Sequence, residues 1–197
     1  EMMVMPNDPT NPYWDSSCTD CEPGDADGDG QVVVLDIVIL VEEILSIGDY
    51  YNDCADINQD GEITVLDIVA IVEVILGGDA RSADATSATM NIANDTVSIS
   101  GNGFIGAVQM TLSHGAGFSM NLTDDAMVAD YRTSGNTTTL IVVAPNSDEI
   151  FTASGDFTVE EAIVASGNGY VPLSTPASFE LSAAYPNPFN PSTSLDM

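Results

Sequence analysis

Hydrophobic positions follow two different rhythms along this chain. From Val34 to Ile47 the only interior polar residues are Asp36, Glu42, Glu43 and Ser46, and from Val65 to Leu76 they are Asp67 and Glu73. Runs of this length and density predict two helices that are apolar nearly all round, which need cover on several sides. A module of two such helices cannot bury them against each other alone. Two sources of cover are compatible: a partner surface, or the N-terminal arm, residues 1 to 24, folding back with Met2, Met3, Val4, Tyr13 and Trp14. After Gly77-Gly78-Asp79 the runs shorten and alternate. Thr96 to Ser100, Ile105 to Leu112, Met127 to Tyr131, Thr137 to Val143, Phe157 to Ala165 and Tyr170 to Leu173 read as strands bounded by Gly, Asn, Asp and Pro. Many short strands at that spacing predict a β-sandwich.

The segment before each apolar run carries the chemistry. Residues 25 to 36 read DADGDGQVVVLD, and residues 56 to 67 read DINQDGEITVLD. A calcium loop needs hard oxygen ligands at positions 1, 3 and 5, glycine at 6, a backbone carbonyl at 7 and a carboxylate at 12. The first segment supplies Asp25, Asp27, Asp29, Gly30, Gln31 and Asp36 in those roles; the second supplies Asp56, Asn58, Asp60, Gly61, Glu62 and Asp67. Each closing aspartate sits in the same pentapeptide, Val-Leu-Asp-Ile-Val, 31 residues apart, which marks an internal duplication. Two ions of Ca2+ are expected. Magnesium suits so oxygen-rich a cage poorly, because it demands tight octahedral geometry and gives up water reluctantly. Position 9 differs, Val33 against Thr64.

Charge narrows the partners. Arg81 and Arg132 are the only basic residues against 31 acidic ones, for a formal net charge of -29. Nucleic acid and anionic membrane surfaces would repel such a chain, whereas divalent cations are its natural counter-charge. The 44% hydrophobic content argues for a folded chain rather than a disordered acidic one. Neither long apolar stretch, Val32 to Val41 or Ile68 to Leu76, is long enough to span a bilayer, so no membrane insertion is expected. The chain begins at Glu1 with no apolar leader, as a processed product or a fragment would.

The duplicated loops resemble bacterial dockerins, small modules of two calcium loop-helix units. Aspartate at position 12 and the absence of a helix before the first loop carry the resemblance, over about residues 22 to 78. It implies a cohesin partner, a β-sandwich read by the loop ends and helices. At the family's recognition positions 10 and 11 stand Val34 and Leu35 in the first repeat and Val65 and Leu66 in the second. With Val38 and Val69 these form the expected interface, greasier than usual in the family, and their identity in both repeats leaves a two-way binding mode open. In the second half, GAVQMTLS from Gly106, TTTLIVVAP from Thr137 and SGDFTVEEAIVASG from Ser154 are similar to a shortened cohesin or a carbohydrate-binding-type sandwich. The tail AAYPNPFNPSTS, residues 183 to 194, resembles the opening of the sorting domain of bacterial type IX secretion. The sorting resemblance and the calcium loops together imply an extracellular or cell-surface location.

Cys18, Cys21 and Cys54 form an odd set. A disulfide from Cys54 to either Cys18 or Cys21 is preferred, with a Cys18 to Cys21 pair as the alternative; no second cysteine pair completes a zinc site. An enzyme is not expected. His114 is the only histidine, lysine is absent, and Asp124-Asp125 and Glu160-Glu161 read as solvated acids.

The reading is thus α+β in two domains. It places an extended arm at 1–21, a small all-α calcium-binding dockerin-like module at 22–79, an all-β, cohesin-like sandwich at 80–178, and an extended tail at 179–197. Its expected function is non-enzymatic assembly, in which the helical module engages a neighbour's sandwich to build a head-to-tail homopolymer or filament. The alternative is an accessory module that docks to a separate cohesin while the β-domain binds polysaccharide.

Overall fold

The computed structural model describes residues 22–46, 54–77, 83–93 and 95–175. Two helices, α1 (Val34–Leu45) and α2 (Val65–Leu76), are followed by ten strands. These are β1 (Ala88–Ala93), β2 (Thr96–Gly101), β3 (Ala107–His114), β4 (Ser119–Leu122), β5 (Val128–Ser134), β6 (Thr137–Val143), β7 (Glu149–Ser154), β8 (Phe157–Ser166), β9 (Gly169–Tyr170) and β10 (Leu173–Ser174). Two five-stranded sheets form, in the orders β10-β1-β2-β7-β4 and β5-β6-β3-β8-β9. Every pairing is antiparallel except β1 with β10.

The expected sandwich is therefore present, with more strands than the alternation suggested. Strands β1, β4 and β7 were not expected, and the stretch Tyr170 to Leu173 is divided: β9 extends the second sheet and β10 the first. Val171, 6% exposed between them, anchors the crossing in the core. Side chains alternate across each sheet, as the period of two requires. Val108, Met110, Leu112, Leu140, Val142 and Val164 point between the sheets and meet Val97, Ile99, Ile150 and Phe151.

The opposite face of the second sheet is also apolar, and this decides the architecture. Ala107, Ile141, Val143, Ala144 and Ala165 turn away from the sandwich core and join Ile37, Leu40, Val41, Val65, Ile68, Val69, Ile71 and Val72 of the helices in a second cluster. The molecule thus has three layers: the helix pair, the β5-β6-β3-β8-β9 sheet, and the β10-β1-β2-β7-β4 sheet. The chain's own sheet covers one side of the helix pair, a source of cover beyond the two that were expected. That arm and the C-terminal tail lie outside the described residues.

Gly106, just before β3, lets the layers meet. A Cβ placed on it would stand 2.8 Å from a methyl of Val69, closer than carbon atoms approach, so only glycine admits α2 at this distance. Small side chains at Ala107 and Ala165 continue that shallow floor.

Candidate metal centre

The two loops fold alike because their polar atoms repeat at the same offsets. In the first, Asp25 accepts from Asp29 N–H at 3.0 Å and Gly30 N–H at 2.9 Å. In the second, Asp56 accepts from Asp60 N–H at 3.1 Å and Gly61 N–H at 2.9 Å. Asp27 and Asn58, at position 3, each accept from the residue two further on, at 3.0 and 2.9 Å. Asp29 and Asp60 do the same for Gln31 and Glu62, at 2.8 and 2.9 Å. Position 6 is left-handed in both, with φ of +85° at Gly30 and +89° at Gly61, as the sequence required. Position 4 is left-handed too, Gly28 at +74° and Gln59 at +60°.

The closing carboxylates tie each loop to the helix that follows. Asp36 is fully buried; one oxygen accepts from Ala26 and Asp27 N–H at 2.8 and 3.3 Å, the other from Val33 N–H at 2.8 Å. Asp67, equally buried, accepts from Asn58 N–H at 3.3 Å and Thr64 N–H at 2.9 Å. Both sit in the first turn of a helix, where the exposed N–H groups favour an anion. Position 9 is the helix cap, and here the repeats diverge: Thr64 Oγ1 accepts from Leu66 N–H at 3.2 Å, whereas Val33 has no oxygen to offer.

The donor set fits calcium. Oxygens of Asp25, Asp27 and Asp29 lie within 4.8 Å of one another, and Asp25, Asp36, Asp56 and Asp67 are all at most 5% exposed. Arg132, on the edge strand β5, is the sole lysine or arginine among the described residues. The titration of two aspartates registers the same crowding. The Asp29 N–H bond pulls Asp27 down, but desolvation and the charges of Asp29, Asp36 and Asp25 leave its carboxyl above the ordinary value. Burial pushes Asp67 up, the N–H groups of Thr64 and Asn58 pull it down, and Asp56 and Asp60 push it up again, with a net rise. A hard divalent cation held by oxygen donors reverses such penalties. Asp25, Asp27, Asp29, the Gln31 carbonyl and Asp36 would hold one ion; Asp56, Asn58, Asp60, the Glu62 carbonyl and Asp67 would hold the other.

The loops also pack on each other. Gly24 N–H donates to the Cys54 carbonyl at 2.8 Å, and Gly24, at φ +96°, leaves room for Ile57, Val32 and Ile71. Cys54 is disulfide-bonded. Cys18 and Cys21 lie outside the described residues.

The six expected interface residues separate into three pairs. Val34 and Leu35 are 39% and 53% exposed, and Val33 beside them is 39% exposed. Val38 and Leu66 are half-buried. Val65 and Val69 are 1% and 2% exposed, enclosed where α2 meets the sheet, so a partner cannot reach them while the layers stay together. Sequence reading missed Gly106 and the outward-facing Ala107, Ile141, Val143 and Ala165. The unbroken run Leu140 to Ala144 was the available signal, since a strand apolar at every position is covered on both faces.

Both ring nitrogens of His114 have polar neighbours. Its Nε2 lies 2.8 Å from Thr138 Oγ1 and its Nδ1 3.1 Å from the Gly115 carbonyl, while the neighbouring Ser113 hydroxyl donates to Glu160.

Residues 23–76 match the dockerin type I domain, whose members bind calcium and cohesin partners. No curated protein sequence matches the chain. Among solved structures, the chain is similar to a non-cellulosomal cohesin from the hyperthermophilic archaeon Archaeoglobus fulgidus, with a TM-score of 0.32 and 12% identity, covering 49% of this chain and 86% of that chain.

Proposed function

From the dockerin type I domain over residues 23–76, we propose that this chain is a calcium-stabilised, non-enzymatic extracellular assembly module that presents its first repeat to a β-sandwich partner. The observation that carries this reading is the unequal use of two equal repeats. The second repeat's Val65 and Val69 are buried on the chain's own sheet, while the first repeat leaves Val33, Val34 and Leu35 open beside its acidic loop. Two ions, one per loop, would fix the helix starts from which those side chains project. Three exposed aliphatic residues, each contributing about 1.5 to 3 kcal/mol when buried, suffice to dominate a small interface.

Two partners suit that face: the sandwich of a neighbouring copy, giving a head-to-tail filament, or a separate cohesin. Charge favours the separate cohesin, because a second copy brings the same net charge of -29 to an acidic loop. Light scattering and negative-stain microscopy in millimolar calcium, then in chelator, separate them. Filaments in calcium would establish self-assembly. A monodisperse monomer would direct the search to cohesins in trans, and a chain that binds no calcium would overturn the reading.

A further inference from the structure

The second calcium loop and the helix-sheet contact share a wall. Asn58 of the loop, with Leu66, Val69, Ala70 and Glu73, faces Ser166, Gly167 and Gly169 of the β8-β9 turn across a groove of about 210 Å³. Asp67 connects the two ends of this arrangement. Its carboxylate holds the Asn58 N–H on the loop side and the Thr64 N–H at the start of α2, and Thr64 in turn caps α2 through Leu66 N–H. Val65 and Val69, one and five residues beyond Thr64, are buried in the cluster that α2 shares with the sheet, with Val69 seated over Gly106. A shift of the loop therefore moves the first turn of α2, and that turn is what contacts the sandwich. The first loop has no such route through its matching residues, because Val34 and Leu35 face solvent.

We infer that the second loop is a calcium-dependent latch between the helix pair and the sandwich: the docked arrangement and the calcium-loaded loop stabilise each other. The inference rests on the calcium reading proposed above and adds a coupling to it. Releasing the latch would uncover Ala107, Ile141, Val143 and Ala165, an apolar sheet face otherwise kept from solvent. Calcium withdrawal would then make the sandwich adhesive, so that association through this face occurs in chelator and not in calcium.

Coupling between two sites is reciprocal, so a change in the sandwich must alter calcium binding. The test uses the full chain and calorimetric titration with calcium alone, comparing wild type with Gly106→Ala, a substitution outside both loops that forces Val69 away. The expected result is a loss of about fivefold or more in the affinity of one of two sites. Asp60→Ala provides the reverse experiment, read by hydrogen exchange of the Ala144 amide, which donates to the Gly106 carbonyl at 2.8 Å. Faster exchange is expected there, with little change in Asp29→Ala. Unchanged calcium affinity in folded Gly106→Ala would overturn the latch and leave the calcium reading intact. If Gly106→Ala does not fold, unchanged exchange in Asp60→Ala overturns it. Absence of calcium binding in the wild type would overturn both.

Discussion

Val34 and Val65 occupy the same position in the two repeats, yet Val34 is 39% exposed and Val65 is 1% exposed. A duplicated module has been used unequally, one copy facing inward and the other outward. Val65→Asp places an uncompensated charge between helix and sheet and is expected to cost about 3 to 5 kcal/mol. Val34→Asp is expected to cost less than about 1 kcal/mol. Urea unfolding in saturating calcium measures both, and equal costs would mean that α2 does not lie on the sheet. Val34→Asp should instead abolish capture of a sandwich partner.

That inequality is where sequence reading reached its limit. The two loops were legible because oxygen donors must stand at fixed offsets, and Asp25, Asp27 and Asp29 bring their oxygens within 4.8 Å of one another. Helix starts at Val34 and Val65 followed from the same repeat. Of the strands, β6 was read at its full length, since Thr137 to Val143 is both β-rich and closed by Pro145. Strands β1, β4 and β7 are four to six residues long and interrupted by polar residues, a pattern shared with loops. Layer order was not legible. Helices that are apolar all round announce that they are covered, and the pattern does not say by what. Gly106 reads as a turn residue until Val69 is seen above it.

Removing the closing carboxylate should separate structural from ionic effects. Asp67→Ala leaves the N–H groups of Asn58 and Thr64 without their acceptor, at about 1 kcal/mol each. A loss of about 2 kcal/mol is therefore expected even in chelator, with a larger gap in calcium, where wild type alone gains from binding at this loop. Thermal melts in both media give the two terms. A gap identical in calcium and chelator would mean that Asp67 is not a ligand.

Glu43 gives a pH signature distinct from the loops. It is a half-buried residue of α1, one oxygen is buried without a hydrogen-bond partner, and burial raises its carboxyl above the ordinary value of 4.5. For an acid with a raised folded-state value, the stabilising contribution is complete below the unfolded value and is lost as pH climbs through the folded one. Glu43→Gln, which stays neutral, is thus expected to be more stable than wild type at pH 7. The gain should be under about 1 kcal/mol, since the site is partly solvated, and should fade as pH falls toward 4.5. Melting both proteins across pH 4.5 to 7 in fixed calcium tests this, and a difference independent of pH would exclude the charge as its cause.

The two caps offer a prediction made by the protein's own repeat. Thr64 accepts from Leu66 N–H at 3.2 Å, and Val33, with φ −137° against −135° at Thr64, holds the same backbone conformation with no oxygen. An N-cap hydroxyl contributes about 1 kcal/mol, and Val33 is 39% exposed, so replacing its methyl removes little buried surface. Val33→Thr is accordingly expected to stabilise the chain by up to about 1 kcal/mol, and Thr64→Ala to destabilise it by a similar amount. Because the cap orients the first turn that carries Asp36, Val33→Thr should also tighten calcium binding at the first loop. Calorimetry on the two variants decides the matter: opposite shifts in stability are expected, and a destabilised Val33→Thr would show that the first repeat's open face was built around valine for its partner and not merely left uncapped.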